Sequence, residues 1–340
     1  VQYLCRLNAG ADVKRPRSTF ARFILGEETR QASDQISRPY GMAFWQGKLY
    51  VCDSGGHRGL VFDFAERDFR TFGEKGPFQV QMPINVGLGP DGEKYITDTV
   101  AGRVLVLDSQ DQPVRALGAR LGMKPCDVVW YEGELYVADL KTDTVRVLDP
   151  VQGVERRRIG GPGSAPGRFF QPTNLALGPE GHLFVCDTLN ARVQVLDRNG
   201  SVVRIVGSRG RALGQLVRPK GIAVDRAGRL YVCDAAAETV LLYSREGRLL
   251  MALGGPGVDP GSLSLPAKVA ISYDGVEHFA KYASPDFRVE YLVFVSNQLG
   301  PNKICVYGFG VYTGSASVDE DARFAPGPRA TGPMLGEGFS

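Results

Sequence analysis

Apolar and polar residues alternate in short stretches along most of the chain, and six stretches are variants of one pattern. They are LYVCD (49–53), KYITD (94–98), LYVAD (135–139), LFVCD (183–187), LYVCD (230–234) and, more degraded, LVFVS (292–296). Period-two alternation of β-branched and aromatic residues predicts strands. Each copy follows a proline and a short apolar run, with Pro39, Pro83, Pro125, Pro172, Pro219 and Pro266 spaced 44, 42, 47, 47 and 47 residues apart. In five units the closing Asp lies 14 or 15 residues after the proline; in the sixth, Pro266 to Ser296 spans 30, so this unit carries an insertion near residues 274–290. Blade four shows the unit best: NLALG (174–178), LFVCD, RVQVLD (192–197) and VVRIVG (202–207), with PEGH and RNG as turns. Glycine in such turns supplies the positive φ that tight hairpins need. Four strands per repeat of this length predict an all-β, six-bladed β-propeller over residues 20–312.

The last unit is one strand short, because KICVYG (303–308) is followed only by a Gly-rich exit. FARFILG (20–26) matches the missing outer strand, and the ring is expected to close through it; VQYLCRL (1–7) alternates too and competes for the place. Closure removes two open sheet edges. Residues 1–19 then form an N-terminal extension, and the Gly/Pro/Ala-rich stretch 313–340 is expected to be a flexible tail.

Composition adds little to this. Hydrophobic residues make up 43% and charged residues 23%, which suits a globular chain with a large core, and 43 glycines and 21 prolines suit many tight turns. Net charge is +3, so no strong electrostatic footprint for nucleic acid appears. No apolar stretch approaches the roughly 18 to 20 residues that span a bilayer. The sequence begins at Val1, so membrane attachment would have to come from a lipid anchor upstream.

With these motifs in view, the chain resembles the NHL-repeat propellers, in which a proline and apolar strand precede a Y-V-A-D-like strand and a loop ending in Asn or His, Arg and Val. The likeness is best in DTLNARVQVLD (187–197) and recognisable in DSGGHRGLVFD (53–63), while the last blade has Ser296 and Asn297 where the Asp would stand. STFARFILGEE (18–28), RPKGIAVD (218–225) and NKICVYGFG (302–310) are most similar to bacterial extracytoplasmic six-bladed propeller lipoproteins. That resemblance implies an accessory or scaffold module in the periplasm or on the cell surface, with a protein partner for which a multihaem cytochrome is one candidate.

Recurrent acid and base residues read as architecture: Asp53 with Arg58, Asp98 with Arg103 and Asp187 with Arg192 should bridge loops or blades. The second residue after each blade proline forms a ring of Gly41, Asn85, Asp127, Asn174, Gly221 and Lys268 near one mouth of the central channel. Asn85, Asp127 and Asn174 are oxygen-bearing neighbours, similar to the calcium site of gluconolactonase-like propellers, which makes a calcium-dependent lactonase the enzymatic alternative. Lys268 and the lack of a Glu in this ring argue instead for a solvated or strand-capping ring. His57, His182 and His278 lie on different loops, and no G-x-S-x-G elbow, P-loop or haem-attachment sequence occurs, so neither catalysis nor a cofactor is expected.

Cys52, Cys186 and Cys233 take equivalent places on second strands and read as small buried residues, with Cys126 on another strand. A Cys5–Cys305 bridge is open if the N-terminus joins blade six. Basic runs at Arg15–Arg17 and Arg156–Arg158 raise RNA binding as a second alternative, but stacking aromatics are not interleaved with them. The expected partner surface is the loops between second and third strands together with the blade-six insertion, where Phe279, Tyr282, Phe287 and Tyr291 are candidate anchors.

Overall fold

Each repeat folds as a four-stranded antiparallel sheet whose inner strand begins at the blade proline. In blade four, Pro172–Leu177, Leu183–Asp187, Arg192–Leu196 and Val202–Val206 pair in chain order. Proline is tolerated at a strand's first residue because no ladder bond is lost there. The register sets each proline opposite the last residue of the second strand: Pro39 opposite Asp53, Pro172 opposite Asp187, Pro266 opposite Asn297. The computed structural model describes residues 1–14 and 34–313, and these contain six such sheets. Inner strands touch from blade to blade around the ring, including Pro266–Ser272 of blade six against Pro39–Trp45 of blade one. The architecture is the expected six-bladed β-propeller.

The core lies in the seams between blades. Six apolar clusters form among the described residues, each centred on the seam between two neighbouring blades; one sets Cys186 and Val193 of blade four against Ile222 and Val232 of blade five. Burying one Val or Leu side chain contributes about 1.5–3 kcal/mol, so every blade depends on both neighbours. In blades one to five the carboxylate that ends the second strand ties down the loop arriving from the previous blade. Ser37 and Arg38 N–H donate to Asp53 (3.1 and 2.7 Å), Gln81 and Met82 N–H to Asp98 (both 2.9 Å), and Phe170 N–H to Asp187 (2.7 Å).

The ring closes at the N-terminus, through the competing segment. Gln2–Leu7 pairs antiparallel with Ile304–Tyr312 as the outer strand of blade six, with a bulge between Tyr3 and Cys5. The outer place is therefore taken by residues 2–7; FARFILG (20–26), expected to fill it, lies outside the described residues, as do Arg15–Arg17 and residues 314–340. Leu4 and Leu7 decide the choice physically, because both are buried in the seam between blades six and one.

The insertion is a packed lid on that seam. It holds one helical turn, Val276–Phe279, and a 3-10 turn, Ala280–Tyr282, ahead of an 11-residue second strand, Phe287–Asn297. Phe279 is buried against Phe64 and Phe294, at 4.9 and 5.6 Å between ring centroids. The insertion joins first and second strands, so it stands at the hairpin end of the ring; the loops between second and third strands stand at the opposite, proline end.

Candidate functional site

The six inner strands enclose an axial cavity of about 340 Å³, lined among others by Phe44, Val128, Trp130, Leu175, Ile222 and Val269. Asp127 and Lys268 reach into it from the proline end. The ring expected there is present, but it is knitted together rather than open. Asp127 accepts the Val128 N–H at Oδ1 (2.8 Å) and, from the next blade, the Leu175 N–H at Oδ2 (2.6 Å). Asn174 repeats the reach: its Oδ1 accepts the Ile222 N–H of blade five at 2.8 Å. Asn85 Oδ1 accepts the Val86 N–H at 3.2 Å. Glycines make this closeness possible, since a Cβ on Gly41 would lie 2.0 Å from Asn85 Oδ1 and one on Gly221 2.4 Å from the Ala267 carbonyl oxygen.

Lys268 supplies the positive charge. Its ammonium crosses from blade six to donate to Asn174 Oδ1 at 2.9 Å and lies 3.6 Å from Asp127 Oδ2. Burial pushes the Asp127 pKa up, opposed by Lys268 and the two backbone N–H groups. This donor set does not suit a hard cation, which takes six to eight oxygens and competes poorly with a fixed ammonium. Among the described residues no cluster of three or more His, Cys, Asp or Glu is placed to hold a metal either. Two amide donors, Asn85 Nδ2 and Asn174 Nδ2, are buried without a hydrogen-bond partner. Their orientation is fixed, because each Oδ1 already receives an N–H.

The other sequence candidates separate. Asp53–Arg58 and Asp187–Arg192 are ion pairs at 3.7 and 2.8 Å, and Arg192 also donates to the carbonyls of Ala165 and Arg168 in the loop entering its blade. Arg103 makes no ion pair with Asp98 within the described residues; it donates to the Gln79 carbonyl at 2.7 Å and holds the same kind of incoming loop. Phe279, Phe287 and Tyr291 are not exposed anchors but core residues; Tyr291 hydrogen-bonds Tyr231 at 2.7 Å and stacks on Phe309. Tyr282 alone of the four is exposed, at 48%. Arg157 is engaged by Glu134 at 2.7 Å and Arg158 by Glu155 at 2.5 Å, so this run is spent on intramolecular pairs. All six cysteines are free, and in the register Cys5 faces Val306 while Arg6 faces Cys305, which turns the two thiols to opposite faces of the sheet.

The expected loops between second and third strands, together with the loops that join successive blades, make up the proline end. Met82, Val100, Phe170, Leu213, Val258 and Leu299 are exposed on its loops, Leu213 at 95%. Around the mouth, Arg38, Lys124 and Arg218 stand exposed one residue before the blade prolines.

No family model matches the chain. A Bacteroides thetaiotaomicron protein of unknown function superposes with a TM-score of 0.65 at 15% identity, over 91% of this chain and 76% of that one. A gluconolactonase from Xanthomonas campestris gives 0.59 at 16% identity, over 90% and 98%. At such identities the likeness shows the fold alone. The Arabidopsis thaliana chloroplastic protein Suppressor of Quenching 1 is 25% identical over 45% of this chain, and the match spans 18% of that protein's length.

Proposed function

We propose that this propeller is a non-enzymatic binding module that docks a protein partner on its proline end. The observation that carries the reading is the set of six large apolar side chains exposed on the loops of that end, around a mouth bearing Arg38, Lys124 and Arg218. Apolar anchors with a basic centre suit a partner surface that is apolar at its rim and acidic at its middle. The setting outside the cytoplasm and a multihaem cytochrome as the partner rest on the resemblance of residues 18–28, 218–225 and 302–310 to bacterial extracytoplasmic propeller lipoproteins.

Paired surface variants test the choice of end. Phe170→Asp with Leu213→Asp should abolish recovery of the native partner after cross-linking in the source cells, while Tyr282→Asp at the hairpin end should leave it intact. The reverse pattern would overturn the assignment. The calcium-dependent lactonase reading makes a different demand: one calcium per chain that survives dialysis and is lost in Asp127→Ala. Elemental analysis of the folded protein decides between the two.

A further inference from the structure

Blade six places residues 273–286 between its first and second strands, where blade one needs only Gln46 and Gly47. This insertion also builds a cavity. With the closing strand Gln2–Leu7 and the turn between the third and fourth strands of blade one, it walls a space of about 390 Å³. Leu7 comes from the closing strand, Phe64 and Arg67 from blade one, and Phe279, Lys281 and Tyr282 from the insertion. Two of the three walls, the insertion and the strand borrowed from the N-terminus, are features that the other blades lack, so the cavity is not part of the repeat. Its size is that of a small-molecule site, for which about 300–1,000 Å³ is usual.

The charges around this cavity are unbalanced. Arg6, Arg67 and Lys281 line it against Asp12 and Glu277. Asp12 is already engaged, because its Oδ2 accepts the N–H groups of Asn8 and Ala9 at 2.6 and 3.0 Å. Glu277 is turned to solvent, 72% exposed, and lies 3.5 Å from His278. Arg6 donates to Asn302 Oδ1 at 2.9 Å. Arg67 and Lys281 have no hydrogen bond or ion pair among the described residues, so their N–H donors are available to the cavity. Lys281 faces its inner wall: burial, and then Asp12, push the Cys5 thiol pKa up, and the Lys281 ammonium opposes them. Beside these donors the wall is flat and aromatic. His278 stacks on Phe64, at 5.9 Å between ring centroids and 28° between planes, and the Lys281 ammonium lies 5.0 Å from the centre of the Tyr282 ring. Leu7, Val13 and Phe279, all buried, add an apolar lining.

We propose that this cavity binds a small phosphorylated ring compound, its phosphate received by Arg67 and Lys281 and its ring laid against Phe64, His278 and Tyr282. A guanidinium offers paired N–H donors that match phosphate oxygens, and an ammonium adds a point charge. Two cations without carboxylate partners suit a phosphate dianion better than a singly charged carboxylate. The aromatic and apolar lining requires the ring, because inorganic phosphate alone would leave that surface uncovered. Charges in a merely solvated cleft would hold anions weakly and without regard to a ring. The site belongs to the insertion and the closing strand and does not depend on partner docking at the proline end, so either reading can fail without the other.

The test uses the full chain and phenyl phosphate as the probe, with inorganic phosphate and phenol as its two halves. Calorimetric titration should show saturable binding of phenyl phosphate with a Kd of about 1 mM or tighter, and binding of either half about tenfold weaker or more. Added salt should weaken the complex, because its phosphate contacts are partly exposed. Arg67→Ala with Lys281→Ala should weaken binding about tenfold or more, and Tyr282→Ala about threefold. Lys75→Ala with Arg120→Ala, which removes exposed cations that do not line the cavity, should leave it unchanged. All of the substituted side chains are exposed, so the variants should melt with the parent. Absence of saturable binding by the unaltered protein, inorganic phosphate binding as well as phenyl phosphate, or indifference to the Arg67 and Lys281 substitutions would each overturn the proposal. The first two of these readouts need no variant to fold.

Discussion

At the scale of single residues, the last blade shows how a repeat can change its chemistry and keep its geometry. The register makes Asn297, not Ser296, the counterpart of the strand-ending aspartates, while Ser296 pairs with Lys268 just as Cys186 pairs with Asn174. Asn297 Oδ1 accepts the Ser264 N–H at 3.1 Å, the same loop-fastening bond made by Asp53 and Asp187. Its Nδ2 donates to the Asn302 carbonyl at 2.7 Å, a bond that no carboxylate can make. Asn297→Asp should therefore destabilise the fold by about 2–3 kcal/mol, even though Asp is the residue of the other five blades, because a buried carboxylate would face a carbonyl oxygen. Urea unfolding near neutral pH measures this, and a variant as stable as the parent would contradict it. The alternation of strands was legible in sequence, but this equivalence was not, because the long insertion hid the register. The channel ring was legible as a list of positions. That Lys268 reaches across to the oxygens of blades three and four could be learned only from the closed ring.

At the scale of elements, the misreadings share a cause. VQYLCRL and FARFILG carry the same alternation, and period two cannot say which of two such segments finds an open edge; the bulge at Tyr3–Cys5 and the burial of Leu4 and Leu7 do. The aromatic residues of the insertion were ambiguous for the same reason, since Phe279 as core and Phe279 as exposed anchor look alike until Phe64 is placed beside it. Removing residues 1–7 should expose the edge of Ile304–Tyr312 and uncover Leu4 and Leu7's places in the seam. Two buried leucines alone account for about 3–6 kcal/mol, and an open strand edge favours self-association. Size-exclusion chromatography of the truncated chain should show oligomers, and Leu4→Ala in the full chain should lower stability by about 2–4 kcal/mol while staying monomeric. A truncated chain that stays monomeric and melts like the parent would mean that closure contributes little.

At the scale of the whole molecule, the polar contacts that cross the seams make stability depend on pH in a direction that can be worked out. Asp111, on the turn between the third and fourth strands of blade two, accepts the Tyr50 hydroxyl of blade one at 2.7 Å and lies 2.5 Å from the Lys94 ammonium of its own blade and 3.2 Å from Lys48 of blade one. Although burial opposes it, these partners hold the Asp111 carboxyl below the usual aspartate pKa, and N–H and guanidinium donors do the same for Asp139. A carboxylate whose pKa is lower in the folded chain than in the unfolded one stabilises the fold fully above the unfolded value of about 3.9; that contribution is lost as pH falls through the folded value. Asp127 has the opposite sign: its pKa is raised on folding, so the fold gains from its protonation as pH falls and part of the acid loss is masked. The slope of the parent protein is thus a mixture, and Asp111→Asn isolates one contribution. Near neutral pH this variant should be less stable by about 3 kcal/mol, since Lys94, fully buried, loses its carboxylate. Below about pH 4 the gap should begin to narrow, as the unfolded carboxyl takes up its proton, and it closes as pH falls through the lowered folded value. Thermal melts of both proteins between pH 3 and 7 read the difference directly. A gap of constant size across that range would show that the seam is held by the shape of the Asp111 side chain and not by its charge.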